Sequence, residues 1–358
     1  MRKLLSGLVC ALVAATTITS AQQPIFTPFG ILPVLDVYLE ALRQQAGIPG
    51  MSAAIARDGV VLWEKGYGFQ NIATRERATP ATPYLVGEVS GTLAAVLLLQ
   101  CVEQRRLELD APLGRYGIDI PEATATLRDL LSHRQTEAQG EPFFYNPDRY
   151  AQLTTVMEWC APQPYRKSVS HRILNRLAMI DSVPGTDLRD PELPLPEGLY
   201  EPSELERYRR VLGRMAPGYR VESRSRAERT EMPIMTMSAR GGLVSTVRDL
   251  AKLDGALDTN VLLLQETLAY AWQPALGYRG TPIPSGLGWF VQSYNGHRIV
   301  WQFGLVPDAY SSLIIKLPER NLTFILLANS DRLVAPFQLP AGDVGRSLFA
   351  TIFLKLVT

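Results

Sequence analysis

The order of apolar patterns along this chain predicts a mixed α/β (α+β) domain: an antiparallel sheet flanked by helices, with an all-helical lobe inserted. Three observations carry that expectation. Residues 84–110 read YLVGEVSGTLAAVLLLQCVEQRRLELD and are apolar on every side from Leu93 to Val102, so they predict a helix buried in mid-domain. Residues 51–68, MSAAIARDGVVLWEKGYG, are two strand-length runs around Asp58-Gly59, a pair that tolerates positive φ and closes an antiparallel hairpin. Towards the C-terminus HRIVWQFG, AYSSLIIKL and LTFILLAN alternate or run apolar over strand lengths, with breaks at 305–308 and 318–321.

Residues 1–21 combine a basic start, an apolar core too short to span a bilayer, and the small residues Thr19 and Ala21 ahead of Gln22. A cleaved signal peptide is expected, hence a periplasmic or secreted protein with no stable membrane span after cleavage. Cys10 follows a valine, which does not suit lipoprotein processing. Cleavage leaves Cys101 and Cys160, too few for a disulfide framework; a bridge and two separate buried thiols are both open.

Residues 34–45 have helical spacing (Leu35, Val37, Leu39, Leu42), ended by the glycines at 47 and 50. After the hairpin and the central helix, residues 121–180 read as helices and turns, including LRDLLSHRQ and YAQLTTVMEWC. Between Ser182 and Ser203, Pro184, Pro191, Pro194, Pro196 and Pro202 oppose regular structure and predict an extended surface loop. An arginine-rich segment follows, holding Arg207, Arg209, Arg210, Arg214, Arg220, Arg224, Arg226 and Arg229. A solvated helix and loop with Glu204, Glu206, Glu222 and Glu228 as partners is the plain reading; the alternative is an anion-binding site beside a cleft, with Arg220, Arg224 and Arg226 as candidates. Gly241-Gly242 suits a tight turn, Ser245 and Thr246 can cap the helix after it, and a last helix is expected over 344–356.

This order gives a signal peptide over 1–21 and one domain over 22–358. The mixed part is expected at about 30–83 and 238–358, and the helical lobe at about 84–237. A hydrophobic content of 46% in 358 residues is ample for a core. Net charge +1 and pI about 7.7 supply no field for a nucleic acid or an anionic membrane surface. No cofactor is expected, and His133, His171 and His297 lack close metal-ligand spacing.

Several stretches resemble the serine beta-lactamases of class C, the penicillin-binding proteins and the related serine esterases: the hairpin sequence, GEVSGTLAAVLLLQ, LRDLLSHRQ, ARGGLVSTVRDLAKL and SGLGWF. The resemblance covers nearly all of the chain after residue 21 and implies the beta-lactamase/transpeptidase-like fold. In that family the central helix opens with Ser-x-x-Lys, nucleophile and base. Here Glu88 stands in the serine's place and Gly91 in the lysine's. None of Lys65, Lys167, Lys252, Lys316 or Lys355 has a serine three residues before it. Ser90 lies two residues on, a rotation of about 200° along a helix, so its hydroxyl is expected to point away from the cleft. The family's Tyr-x-Asn motif resembles YNP, with Tyr145 kept and Pro147 in the asparagine's place; Asn146 is one residue out of register. Its Lys/His-x-Gly motif resembles QFG, with Gln302 for the cation and Gly304 kept.

A serine attacks only when a base in hydrogen-bond reach takes its proton, so losing both partners predicts loss of acylation. The exchange also moves the pocket about two charges towards negative. A carboxylate at a helix N-terminus gains about 0.3–1 kcal/mol from the dipole, so Glu88 is expected to favour the fold and oppose the reaction. Glu88 as a lone catalytic acid would need a partner, and the matched positions offer Tyr145 and Gln302. The expected function is a non-acylating homologue whose cleft binds a small-molecule, peptidoglycan-type or protein ligand. The alternatives are an esterase, beta-lactamase or D-Ala-D-Ala peptidase-like hydrolase with a rearranged site, and a purely structural envelope component.

Overall fold

A computed structural model describes residues 30–358 apart from 136, 138, 139, 224 and 225; the expected signal peptide lies outside the described residues. Helix α1 (Leu32–Ala46) leads into β1 (Gly50–Arg57) and β2 (Val60–Asn71), followed by the short strands β3 (Glu76–Arg77) and β4 (Tyr84–Leu85). A 3-10 turn at Gly87–Val89 opens the central helix α2 (Ser90–Glu103). Then come α3 (Leu127–Leu131), α4 (Pro147–Tyr150), α5 (Leu153–Cys160), α6 (Tyr165–Val169), β5 (Val183–Pro184), α7 (Pro202–Gly213), β6 (Tyr219–Ser223) and β7 (Arg226–Arg229). The chain returns through β8 (Leu243–Ser245), α8 (Val247–Asp258) and α9 (Gln265–Ala271) to β9 (Phe290–Tyr294), β10 (His297–Val306), β11 (Tyr310–Leu317) and β12 (Leu322–Ala328), and ends in α10 (Leu348–Val357).

The main sheet is antiparallel, in the order β3-β2-β1-β12-β11-β10-β9. Its first hairpin turns at Asp58 (φ 52°) and Gly59 (φ 76°), the positive-φ pair the sequence predicts. Because side chains alternate across a strand, one face of β1 and β12 presents Ala53, Ile55, Phe324 and Leu326 to Leu35 and Leu39 of α1 and Phe349 and Phe353 of α10. The other face presents Ala54, Ala56, Ile325 and Leu327 to α8 and α2. With both faces covered, LTFILLA has no solvent side and reads as a continuous apolar run rather than an alternation. Val37, counted in the α1 pattern, is 69% exposed and faces away from this core.

Helix α2 is buried from Ser90 to Cys101, which accounts for its apolar character all round. Its Cys101 is disulfide-bonded to Cys160 of α5, tying the central helix to the helical lobe. With the partners 59 positions apart in the sequence, loop closure alone makes such a link worth about 4 kcal/mol against the unfolded chain.

Three sequence expectations are corrected. The proline-rich stretch is not wholly a surface loop: β5 pairs with β8, and buried Asp187 holds Arg166 at 2.9 Å, so its first residues are a core element. The arginine-rich segment is a helix followed by a β-hairpin rather than a loop, because residues at 219–223 and 226–229 pair with each other. The last helix begins at Leu348, where the Ser347 side chain caps Ala350 N–H; residues 344–346 form a separate 3-10 turn. Thr246 alone caps α8, while Ser245 bonds the Ser182 hydroxyl at 2.8 Å. Among the described residues no helix is long and apolar enough to cross a membrane.

Candidate active site

The site is built where the first turn of α2 meets β10. That contact is made by backbone. A Cβ on Gly304 would lie 1.9 Å from the Val86 carbonyl oxygen, and a Cβ on Gly87 would lie 2.8 Å from Leu305 N. Gly87 also has φ +57°, in the left-handed region that favours glycine. The two glycines therefore let the turn and the strand touch, and the next residue of each, Glu88 and Leu305, is brought face to face.

Glu88 uses that placement. Its Oε2 accepts the Leu305 N–H at 2.7 Å, and its own backbone N–H also bonds its carboxyl. Two backbone donors thus converge on the carboxyl group. Burial pushes the Glu88 pKa above the ordinary glutamate value; the two backbone bonds and Arg240 act in the opposite direction. Desolvation is the largest influence, so the expectation that Glu88 simply profits from the helix dipole is corrected. Arg240 also lines the cleft and forms an ion pair with Asp148.

Gly91 does not leave an empty space. A Cβ there would meet the Tyr150 ring at 3.0 Å and the Ala239 carbonyl oxygen at 3.4 Å, and the Tyr150 hydroxyl donates to Gly91 O at 3.2 Å. An aromatic ring from the helical lobe occupies the room a lysine would need. Tyr150 stacks on His133 at 5.0 Å, and His133 also lies 4.6 Å from Tyr145 and 6.4 Å from Phe143. Burial, helped by the charge of Arg149, lowers the His133 pKa to about 3, so the ring is neutral near pH 7 and a weak base.

Tyr145 packs against Phe303 at 5.1 Å and Phe290 at 5.4 Å. Burial, then the Glu88 charge, raises its phenol pKa well above the ordinary value, opposite to what a phenolate base needs. Pro147 is the first residue of α4, where its missing N–H costs nothing, and Asn146 is the N-cap, accepting Arg149 N–H at 3.0 Å. Asn146 is therefore engaged in starting a helix. Gln302 lies on β10 between the cleft and an inner cavity, its Oε1 accepting Phe303 N–H at 3.0 Å. Ser90 is fully buried, donates to Gly87 O at 2.7 Å and accepts Leu243 N–H at 3.1 Å, as its helix phase predicts.

The structure thus brings together Glu88, Gly91, Tyr145, Pro147 and Gln302, all lining one cleft, with Gly304 behind it. It does not bring the arginine candidates there. Arg220 pairs with Glu222 and Glu228, and Arg226 with Glu228, on the β6–β7 hairpin; Arg224 lies outside the described residues. The cation that sequence reasoning missed is Arg240. It sits in the ARGG turn beside a recognised motif, but was read for its glycines alone. The cleft has about 10 Å³ of open space, room for about one water.

An antiparallel sheet with helices on both faces, and a cleft between the buried helix's first turn and strand β10, is the architecture of beta-lactamases and transpeptidases. The chain belongs to the beta-lactamase family, whose model, Beta-lactamase, matches residues 35–342. It is 22% identical over 291 residues to the putative penicillin-binding protein PbpX of Bacillus subtilis (strain 168), covering 74% of this chain and 68% of that protein. A D-aminopeptidase of Brucella abortus (strain S19) is 28% identical over 103 residues, 29% of this chain and 20% of that protein. In fold it is similar to the octameric penicillin-binding protein homologue from Pyrococcus abyssi (TM-score 0.70, 21% identity, 90% of this chain and 77% of that one). It is also similar to a D-amino acid amidase from Ochrobactrum anthropi (TM-score 0.65, 18% identity, 90% of this chain and 98% of that one).

Proposed function

We propose that this chain is a non-acylating member of the beta-lactamase family. The observation that carries the reading is the Glu88 carboxyl held by Leu305 N–H and its own N–H. In an acyl-transfer site two such donors would face the oxygen that gains charge in the transition state. Here a side chain of the protein already uses them, and nothing at Gly91 can take a proton. Any cell-wall peptide, glycan or protein ligand of the cleft would have to open it further, since about 10 Å³ admits none of them. Export belongs to the same proposal: the basic and apolar leader favours it, and a disulfide persists in an oxidising compartment.

The second reading, a working hydrolase, is favoured by relatives whose names are D-aminopeptidase and D-amino acid amidase. Intact-mass spectrometry after incubation with benzylpenicillin or an activated ester separates the two. The unmodified mass and no ester turnover above the Tyr145→Phe variant are expected. A covalent adduct mapped to the cleft, or turnover lost on Tyr145→Phe, would establish the hydrolase instead.

A further inference from the structure

A different part of the helical lobe has open space and polar groups without partners. Two hollows, of about 380 and 350 Å³, lie side by side next to the β6–β7 hairpin, and Arg189 and Met232 line both. The first also holds Arg229 and Thr230. Among the described residues neither Arg189 nor Arg229 has a carboxylate within ion-pair distance, whereas Arg220 and Arg226 on the same hairpin do. Among the described residues the one hydrogen-bond acceptor Arg189 reaches is the Met232 sulfur, at 3.6 Å, a weak one. The Thr230 hydroxyl is buried and has no hydrogen-bond partner among the described residues. These are donors for a carboxylate.

The remaining lining supplies the rest of a recognition pattern. Glu231 in the first hollow and Asp190 in the second are carboxylates that form no ion pair among the described residues, while Asp187 is neutralised by Arg166. Two unpaired cations and two unpaired anions give the lining no net charge but offer a partner to each end of a molecule that carries one charge of each sign. The second hollow is apolar along Leu193, Pro233 and Ile234, and Ile234 is 86% exposed. An apolar side chain of branched shape would cover it.

We propose that this double groove is a binding site for a free amino acid with a branched apolar side chain, taken as the zwitterion. Its carboxylate meets Arg189, Arg229 and the Thr230 hydroxyl. Its ammonium faces Glu231 and Asp190, and its side chain lies on Ile234. The site is separate from the cleft and does not depend on whether the cleft is catalytic.

The test is calorimetric titration of the full chain with leucine of either hand, set against leucinamide, N-acetylleucine and glycine. Each comparison compound lacks one of the three recognised groups. Leucine of at least one hand is expected to bind saturably below about 10 mM. Each comparison compound is expected to bind about tenfold more weakly. Replacing Arg189→Gln and Arg229→Gln together, or Ile234→Ser, should weaken leucine by a similar factor and leave the thermal midpoint unchanged, since all three side chains lie on the surface. Arg240→Gln, in the cleft, should leave binding as it was. Equal binding of leucinamide, undiminished binding in the double arginine variant, or no saturation by either hand of leucine would overturn the assignment.

Discussion

In the cleft, Glu88 accepts two backbone N–H groups, Arg240 is paired with Asp148, and Tyr150 lies over Gly91. In the groove beside the β6–β7 hairpin, Arg189 and Arg229 face a hollow of about 380 Å³ with no carboxylate partner among the described residues. The difference follows from burial. An unpaired donor shut away from water is costly, and the backbone donors of the cleft are taken up by the Glu88 carboxyl. A donor in an open groove has water, and nothing obliges it to pair internally. The cleft is accordingly closed, with its backbone donors satisfied inside the chain, whereas the two arginines of the groove stay unpaired where solvent reaches them.

The comparison can be broken first at the backbone contact that closes the cleft. Gly304→Ala places a methyl 1.9 Å from the Val86 carbonyl oxygen, so the strand or the turn must shift. A loss of about 3 kcal/mol is expected, at the upper end of overpacking effects, read from urea unfolding. A change below about 0.5 kcal/mol would show that the two elements are not tightly apposed.

A smaller effect is expected at Gly91. Gly91→Lys drives a side chain into the Tyr150 ring, with its first carbon 3.0 Å from it, and displaces the hydroxyl from Gly91 O. The expected loss is about 2 kcal/mol, and Tyr150→Ala in the same chain should recover about 1 kcal/mol of it as coupling between the two sites. Strict additivity in that double-mutant cycle would mean the ring does not fill the lysine's space. The same packing makes Glu88→Ser with Gly91→Lys an inadequate restoration of the family motif unless Tyr150 is also reduced.

Much of this was legible in the sequence, because periodicity reports burial. The all-round apolar run of α2, the Asp58-Gly59 turn and the motif positions on the cleft were each read from local pattern. The helix phase of Ser90 was legible for the same reason. What was not legible depends on contacts distant in the chain. Nothing near Gly91 announces that Tyr150, 59 residues on, covers it. Pairing of Arg240 with Asp148 spans 92 residues, and the sequence offered eight other arginines in one segment as more conspicuous candidates. The Cys101–Cys160 bridge required knowing that α2 and α5 are neighbours. The five prolines from Pro184 to Pro202 predict an extended surface loop, yet Pro184 ends a two-residue strand whose pairing with β8 is decided by burial.

The smallest effect bears on Glu88 itself. Burial raises its folded-state pKa above the value in the unfolded chain, so the native state holds its proton more tightly. Between the ordinary glutamate value of 4.5 and the raised folded value, the native state binds more protons than the unfolded state, and stability falls as pH rises through that window. Glu88→Gln keeps an oxygen for Leu305 N–H and removes the titration, so this part of the slope should vanish and the variant should be the more stable protein at pH 7. Asp258, raised to about 6 by burial and by Asp254, contributes a slope of the same sign in both proteins. The difference between the two pH profiles, obtained from urea midpoints at closely spaced pH values, therefore isolates position 88. Arg240 and Asp148 are the other charges facing the carboxyl, and Arg240→Gln should enlarge the wild-type slope by removing a group that favours the ionised form. Parallel profiles for wild type and Glu88→Gln would mean that the carboxyl is solvated rather than enclosed, and the account of a self-occupied cleft would fall with it.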